Sequence, residues 1–233
     1  MYKSTALRAP PLNRLLAALP KDEYRRLLPN LKIVPLIFGE MIYEAGALIR
    51  QIYFPNSGII SLLATVADRA SLEVGIVGRE GMVGLPVFMG VKTSRDRAVV
   101  QGTGVALRMK SAALRQECNN GGSLPRLLRR YTHSRLTQMS QGAACNRFHS
   151  LDARLARWLL MTRDRMGTDE FQVTQEFLSN MLGVRREGVN KAAGELQKQR
   201  LISYSRGTLT TLDRAGLEAV ACRCYEIINE ESR

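Results

Sequence analysis

Residues 172–212 read QVTQEFLSNMLGVRREGVNKAAGELQKQRLISYSRGTLTTL, and this stretch predicts two helices followed by a hairpin. Thr174 can cap a short helix that Gly183 ends, because a hydroxyl accepts from the first turn and glycine adopts the left-handed conformation. Apolar residues then recur three, four and seven positions apart, which predicts a second amphipathic helix after a tight turn. Those residues are Val189, Ala192, Ala193 and Leu196. Two short strands follow, at 201–204 and 208–212, joined by Ser205-Arg206-Gly207.

Two helices, a tight turn and a hairpin are the layout of a winged helix-turn-helix, which places its second helix in a DNA major groove. The polar face of that helix has residue types that read bases: Arg clamps guanine, Glu accepts from cytosine, and Lys or Asn adds a contact. The predicted DNA-binding residues are Arg185, Arg186, Glu187, Asn190 and Lys191 on this helix, Thr174 on the first helix and Arg206 on the wing. The alternative is an ordinary amphipathic helix with a solvated charged face.

Residues 183–191, GVRREGVNK, resemble the Gly-x-Ser-Arg-Glu-Thr-Val-x-Arg signature of the cyclic-AMP receptor protein/FNR (CRP/FNR) family of bacterial transcription regulators. Leu196 followed by Leu201-Ile202 is similar to that family's entry to the wing. The resemblance implies that the base-reading residues are Arg186, Glu187 and Lys191. Arg185 departs from the pattern, because the family has a capping Ser there and Arg is a poor cap. The cation at this position can instead contact a phosphate.

The net charge of +13 on 233 residues favours a polyanionic partner. The charge is not concentrated in the DNA-reading segment: from Ser150 onward there are 13 Lys and Arg against 12 Asp and Glu, whereas the first 149 residues hold 21 against 9. The DNA prediction therefore rests on local pattern. We expect no membrane span and no signal peptide, because no apolar run approaches about 20 residues. Four unevenly spaced cysteines indicate a reducing cytoplasm.

The region before the long C-terminal helices has a β character. Residues 31–109 contain short apolar and β-branched runs separated by glycines and turn residues, which predicts an all-β sandwich or barrel. Two short helices broken at Pro20 and Pro29 precede it, and a short helix over 111–118 follows.

Three further helices are predicted after this region. The first runs from Leu124 to about Phe148, the second is capped by Asp152 and covers 153–166, and the last starts at Asp213 and reaches about Ile228. The first has a narrow apolar stripe made of Leu124, Leu128, Leu136, Met139 and Ala143, with Thr132 completing the series. A narrow stripe suits pairing with another helix, and the alternative is one-sided packing on the barrel.

A β-roll, a long helix and a winged helix-turn-helix in this order are the architecture of the CRP/FNR family. The resemblance implies an α+β chain with three segments: a cyclic-nucleotide-binding-like sensor of the jelly-roll type (1–123), a dimerisation helix (124–149) and a winged helix-turn-helix DNA-binding domain (150–233), with the hinge at 150–152. It also implies a homodimer, a pseudo-palindromic double-stranded DNA operator and a small effector of unknown identity. RNA polymerase is a candidate partner on the same ground.

The nucleotide-binding cassette of the family is Phe-Gly-Glu-Leu…Arg-Ala-Ala, whose Glu binds the ribose hydroxyl and whose Arg binds the cyclic phosphate. The corresponding residues are 81–84 and 97–99, where Arg97 keeps the Arg but Met82 replaces the Glu. An ungapped alignment places Gln141-Gly142 at an adenine-contacting Thr-Ser pair. A thioether cannot replace two carboxylate acceptors, so we expect that cyclic AMP is not the effector. Arg97, Met82 and Gln141 are the candidate effector-site residues, and a cyclic-nucleotide-responsive regulator is the alternative.

Metal and catalytic sites have little support in the sequence. No cysteine precedes Cys118, whereas FNR-type iron–sulfur sensors have a cysteine cluster near the N-terminus. Cys145 and His149 are spaced i, i+4 and could bind one metal from a helix face, but two further ligands are not apparent, so no metal or cofactor is predicted. The remaining alternative is a non-DNA signalling module or a cupin-like enzyme. His133 and His149 both lie outside the barrel and no nucleophile–base pair is recognisable, so no enzyme is predicted.

Overall fold

The computed structural model describes residues 12–65 and 71–231. Within these residues the chain forms two compact units: the first contains residues 12–62 and 76–135, and the second contains the remainder. This grouping divides the long helix after Arg135, and the three functional segments inferred from the sequence stay a prediction.

The first unit is mainly β, with short helices around its strands. The helices are α1 (Arg14–Ala17), α2 (Lys21–Leu27) with a 3-10 turn (Leu28–Asn30), α3 (Leu85–Phe88) and α4 (Ser111–Asn119). The strands are β1 (Lys32–Leu36), β2 (Met41–Tyr43), β3 (Gln51–Pro55), β4 (Ile59–Thr65), β5 (Ser71–Val77), β6 (Asp96–Gly102) and β7 (Gly104–Lys110), of which residues 63–65 of β4 and 71–75 of β5 are grouped with the second unit. The predicted β region is therefore confirmed, apart from the short helix α3, which the sequence pattern does not predict.

Two sheets form the roll, with strand orders β1-β7-β3 and β2-β6-β4-β5. The antiparallel register of β3 with β7 places Ile52 opposite Met109 and Phe54 opposite Leu107. All four side chains are buried, because alternate residues of a strand point to the same face of the sheet. This apolar face is the core of the first unit.

Helix α5 (Ser123–Phe148) is the longest element, and its apolar stripe has two different environments. Leu124 and Leu128 are fully buried in the core of the first unit, which is the one-sided packing considered as the alternative. Leu136 and Met139 are 59% and 42% exposed, and Ala143 is exposed as well. Only the second half of the stripe is therefore open to a partner helix.

The second unit has the remaining elements in the order that the sequence predicts, with one addition. They are α6 (Leu151–Met166), β8 (Glu170–Gln172), α7 (Gln175–Leu182), α8 (Arg186–Lys198), β9 (Ile202–Ser205), β10 (Thr208–Thr211), α9 (Arg214–Val220) and α10 (Cys224–Glu231). The sheet order is β8-β10-β9. Strand β8 was not predicted, because three residues are too few for alternation to be recognised.

The start of α6 differs from the prediction. Ser150, not Asp152, is the N-cap: its backbone is extended and its Oγ accepts from the Ala153 amide at 3.4 Å. A capping residue must lie outside the helix, whereas Asp152 lies in the first turn, where its charge faces the positive end of the helix dipole.

The last predicted helix is also different, because it is broken into α9 and α10. Asp213 caps α9 as expected, accepting from the Gly216 amide at 3.0 Å, but Ala221 is extended and ends that helix. Arg214 and Tyr225 both donate to the carboxylate of Asp164, each at 2.6 Å. On one continuous helix these two residues would be about 16 Å apart along the axis. The break allows both side chains to reach the same carboxylate of α6.

Among the described residues, no helix is long and apolar enough to cross a membrane.

Candidate nucleic-acid interface

Helix α7 begins and ends where the sequence predicts. The Thr174 hydroxyl accepts from the Phe177 amide at 3.1 Å, and Glu176 lies in the first turn. Gly183 ends the helix with a φ of +63°, a left-handed conformation that costs glycine little. Helix α8 then begins at Arg186, so the turn of the motif is only three residues long.

The apolar faces of the two helices form the support for the motif. The buried residues are Leu178, Met181 and Leu182 of α7 and Val189, Ala192, Ala193 and Leu196 of α8, as the spacing predicts. Arg154 of α6 is buried behind them and donates to the carbonyl oxygen of Leu182, at the negative end of the α7 dipole. Burial lowers the pKa of Arg154, but an arginine keeps its charge in a protein. This contact therefore fixes α7 on α6.

All five candidate DNA-reading residues of α8 are exposed and lie at its N-terminal end. Arg185 is the N-cap and makes no side-chain capping bond, as expected for an arginine there. Arg186 forms an ion pair with Glu176 of α7, with 2.7 Å between Nη2 and Oε2. Near the other end of the helix, the hydrogen bond from Lys198 lowers the pKa of Glu195. The N-terminal turns thus present cations, a carboxylate and an amide to solvent.

The wing is a tight two-residue hairpin. Ser205 pairs directly with Thr208, and the residues between them, Arg206 and Gly207, have φ values of 51° and 81°. Two successive positive φ values are typical of a type I′ turn, which matches the twist of a hairpin. Arg206 is exposed at the tip. Tyr204 anchors the wing, since its amide donates to Gln197 of α8 and its hydroxyl donates to the Val173 carbonyl.

The three candidate effector residues lie in different places. Met82 is fully buried in the first unit, and its carbonyl oxygen accepts from the Tyr131 hydroxyl at 3.1 Å. Arg97 is on β6 of the same unit, with its Nε buried and without a hydrogen-bond partner among the described residues. Gln141 belongs to the second unit, where its Nε2 donates to the Cys224 sulfur at 3.1 Å.

A cluster of side chains that the sequence pattern does not predict lies near Gln141. The ligand-type atoms of Cys145, His149, Cys222 and Cys224 are all within 4.8 Å of one another. The Cys-x-Cys spacing was visible in the sequence. The predicted continuous helix would have pointed those two cysteines in different directions, because residues two apart on a helix do not share a face.

Comparison with known proteins agrees with this architecture. Residues 153–220 match the Crp-like helix-turn-helix domain family. A search of curated proteins gave no match. Among solved structures, a proposed CRP/FNR-family transcriptional regulator from Eubacterium rectale has a TM-score of 0.71 at 18% identity, over 90% of this chain and 98% of its own. FixK2 from Bradyrhizobium japonicum has a TM-score of 0.70 at 15% identity, over 82% and 98%. A CRP-family regulator from Thermus thermophilus has a TM-score of 0.67 at 20% identity, over 81% of this chain and 96% of its own.

The helix-turn-helix domain and its exposed basic helix define a DNA-binding protein. The Crp-like match covers that domain, and the solved structures show the same fold over most of the chain. The chain thus contains a Crp-like helix-turn-helix domain and shares its fold with these CRP/FNR-type structures.

Proposed function

We propose that the chain is a transcription regulator of the CRP/FNR type, which binds double-stranded DNA sequence-specifically and reads base edges with the first two turns of α8. The observation that carries the proposal is the exposure of Arg186, Glu187 and Lys191 on a helix whose opposite face is buried. Arg186 can donate two hydrogen bonds to guanine, and Glu187 can accept from cytosine. Glu187 and Lys191 are one turn apart, so both can reach the same groove. Asn190 offers both a donor and an acceptor beside them.

Contacts to the DNA backbone would fix the position of α8. Thr174 is at the N-terminus of α7, the helix that crosses the backbone in this motif, and the positive end of the helix dipole favours a phosphate there. Arg185 precedes α8, and Arg206 is at the tip of the wing. These three residues are assigned to positioning rather than to sequence reading.

The ion pair of Arg186 with Glu176 must open before Arg186 can reach a base. Both side chains are more than half exposed, so the pair is worth at most about 1 kcal/mol. A bidentate contact with guanine is worth about 1–3 kcal/mol of discrimination. Replacing the ion pair with the guanine contact therefore favours the complex on the correct sequence.

The test begins with selection of bound sequences from a random duplex pool, followed by titration of the selected operator and of random DNA. Arg186→Ala should weaken operator binding by about 1–3 kcal/mol and relax the preference at one base pair per half-site. Glu176→Ala is the matched control, because it removes the ion pair and keeps the arginine. It should bind the operator at least as tightly as the wild type. Equal losses for the two variants, or an equal loss for Arg186→Ala on random DNA, would exclude a base-reading role.

The wing contact is tested separately with Arg206→Asn. Asn-Gly is a preferred pair for a type I′ turn, so this change removes the charge and keeps the hairpin. A phosphate contact predicts that all sequences are weakened alike and that the salt slope falls by about 1. An unchanged salt slope would contradict the assignment.

We also propose that the regulator is a homodimer. The support is the exposed second half of the α5 stripe, Leu136, Met139 and Ala143, on a helix whose first half already packs in its own unit. A two-fold symmetric pair would present two recognition helices about 34–36 Å apart, which suits a pseudo-palindromic operator. RNA polymerase is the candidate partner of the DNA-bound dimer, the cytoplasm is the proposed location, and no enzymatic activity is assigned.

The sensor is proposed not to respond to cyclic AMP. The residue that stands in place of the ribose-binding Glu is Met82, which is apolar and fully buried. A Cβ on Gly81 would lie 2.3 Å from the Tyr131 hydroxyl oxygen, so the chain's own aromatic ring packs against this backbone. A ribose hydroxyl buried without a partner loses solvation worth about 1–3 kcal/mol. Arg97 remains the candidate anion contact; a different small ligand, a redox or protein signal, or DNA binding without an effector would each fit.

A further inference from the structure

The most concentrated set of metal-ligand side chains among the described residues is in the second unit, where Cys145, His149, Cys222 and Cys224 converge. The sulfur atoms of Cys145 and Cys222 are 3.3 Å apart, and the Cys224 sulfur is 3.5 Å from His149 Nδ1. Tetrahedral zinc has Zn–S and Zn–N distances of about 2.3 and 2.0 Å, which require ligand separations of about 3.8 Å for two sulfurs and about 3.5 Å for sulfur and nitrogen. The Cys145–Cys222 and Cys224–His149 separations are therefore close to these values, and no two of the four atoms are more than 4.8 Å apart.

Local backbone geometry explains how the ligands meet. His149 follows Cys145 by one helical turn, and its amide donates to the Cys145 carbonyl at 3.1 Å, so both side chains leave the same face at the end of α5. Cys222 is in the break after α9, and Cys224 is the first residue of α10. The extended backbone at Ala221 and the turn from Cys222 to Tyr225 allow two cysteines two residues apart to face one point.

The side chains around the cluster include one amide donor and two cations. Gln141 donates from Nε2 to the Cys224 sulfur at 3.1 Å, which is the kind of hydrogen bond that orients and stabilises a metal-bound thiolate. Three thiolates and a neutral imidazole around Zn²⁺ have a net charge of −1. The guanidinium groups of Arg154 and Arg157 are near enough to interact electrostatically with Cys145, which offsets that charge.

Two simpler explanations fit less well. Buried cysteines are often small apolar side chains, but that role does not explain an imidazole nitrogen and an amide donor aimed at the same sulfur. A disulfide between Cys145 and Cys222 would need the sulfurs at about 2.05 Å, and it would leave Cys224 and His149 without a role.

We propose that Cys145, His149, Cys222 and Cys224 form a Cys₃His site for one Zn²⁺ ion. Four protein ligands fill a tetrahedral shell, so the site is structural rather than catalytic. It connects the end of α5 to α10 across about 75 residues of sequence, and it adds metal–ligand bonds to the packing, hydrogen bonds and ion pairs of the unit. Zinc binding then contributes directly to the free energy of unfolding of the second unit.

The test uses the full chain, purified without a metal-affinity tag and with thiols kept reduced by a phosphine. Elemental analysis should give about one zinc per chain. Cobalt substituted for zinc should show the visible absorption of tetrahedral Co²⁺ and the near-ultraviolet charge transfer of thiolate ligands. Because Trp158 is the only tryptophan and is buried in the second unit, its fluorescence should report a lower urea midpoint after zinc is removed.

Variants with matched controls separate this site from adventitious binding. Cys222→Ser should weaken zinc binding by more than about 100-fold, and Gln141→Leu by about 10- to 100-fold. Cys118→Ser and His133→Ala change the only other cysteine and histidine, and both should keep the full zinc content.

The proposal is overturned by any of three results. The first is a reduced wild-type chain that holds no zinc and gives no tetrahedral cobalt spectrum. The second is an equal loss of zinc from Cys118→Ser and Cys222→Ser. The third is a Cys145–Cys222 disulfide found by mass spectrometry in chain that was alkylated at lysis. The cobalt spectrum of the wild type decides the matter even if the cysteine variants do not fold, and none of these measurements depends on DNA binding.

Discussion

Replacement by alanine should change the free energy of unfolding in opposite directions at two glycines of the helix-turn-helix. Gly183 ends α7 with a φ of +63°, where a β-carbon is strained, and that carbon would lie 2.8 Å from Leu72 Cδ1. Gly194 is inside α8 with helical backbone, and a β-carbon there would meet nothing within 4 Å. Gly183→Ala therefore introduces strain and a close contact, whereas Gly194→Ala only removes backbone freedom from the unfolded chain.

The magnitudes follow from these environments. A left-handed conformation costs a non-glycine residue about 1–2 kcal/mol. The overlap with Leu72 adds less, because a leucine methyl can rotate away. Gly183→Ala should thus lower the free energy of unfolding of the second unit by about 1–2 kcal/mol. Alanine is favoured over glycine in a helix by about 1 kcal/mol. Gly194→Ala should therefore raise the free energy of unfolding of the second unit by up to about 1 kcal/mol. The two variants should differ by about 1–3 kcal/mol.

Urea unfolding followed by Trp158 fluorescence measures this difference. Trp158 packs edge-to-face on Phe171, with 6.4 Å between ring centroids, so its emission reports packing within the second unit. With a slope of about 1–3 kcal/mol per molar urea, a 2 kcal/mol change moves the midpoint by roughly 1 M. Repeating Gly183→Ala in a Leu72→Ala background removes the overlap and leaves the strain. A Gly183→Ala midpoint at or above that of the wild type, or a Gly194→Ala midpoint below it, would refute the reasoning.

Three further predictions concern the dimer, the effector and the C-terminal helices. Leu136→Glu should convert the dimer to monomers in light scattering at micromolar concentration, because it places a charge in the seam, whereas Ser134→Glu on the other side of α5 should not; a dimeric Leu136→Glu would contradict the assigned seam. Isothermal titration should show no micromolar binding of cyclic AMP or cyclic GMP, because Met82 has no acceptor for the ribose hydroxyl; micromolar binding that tightens the DNA complex would show that the alignment at Met82 is wrong. Tyr225→Phe removes a hydrogen bond to the Asp164 carboxylate and should destabilise the second unit by about 1.5–3 kcal/mol. Tyr204→Phe removes a hydrogen bond to a neutral carbonyl and should destabilise it by about 0.5–1.5 kcal/mol. Equal losses in urea unfolding would argue against a charge-assisted bond at Tyr225.

The helix-turn-helix could be predicted from the sequence because its signals are local. Thr174 bonds to an amide three residues away, Gly183 supplies a backbone conformation at its own position, and the apolar spacing of α8 repeats within one helix. The type I′ turn of the wing likewise depends on two adjacent residues. Such signals act over a few residues, so they operate whatever the rest of the chain does.

Other features needed the tertiary structure, because they depend on partners far away in the chain. Leu128 and Leu136 belong to one stripe with one period, yet the first is buried and the second is exposed, since burial depends on what packs against each turn. The break before α10 is explained by the Asp164 carboxylate, which lies 50 and 61 residues from the two side chains that bind it. The sulfurs of Cys145 and Cys222 meet across 77 residues only because that break exists. A helical pattern in the sequence specifies which residues share a face, but the contacts with Asp164 decide where the helix stops and which cysteines come together.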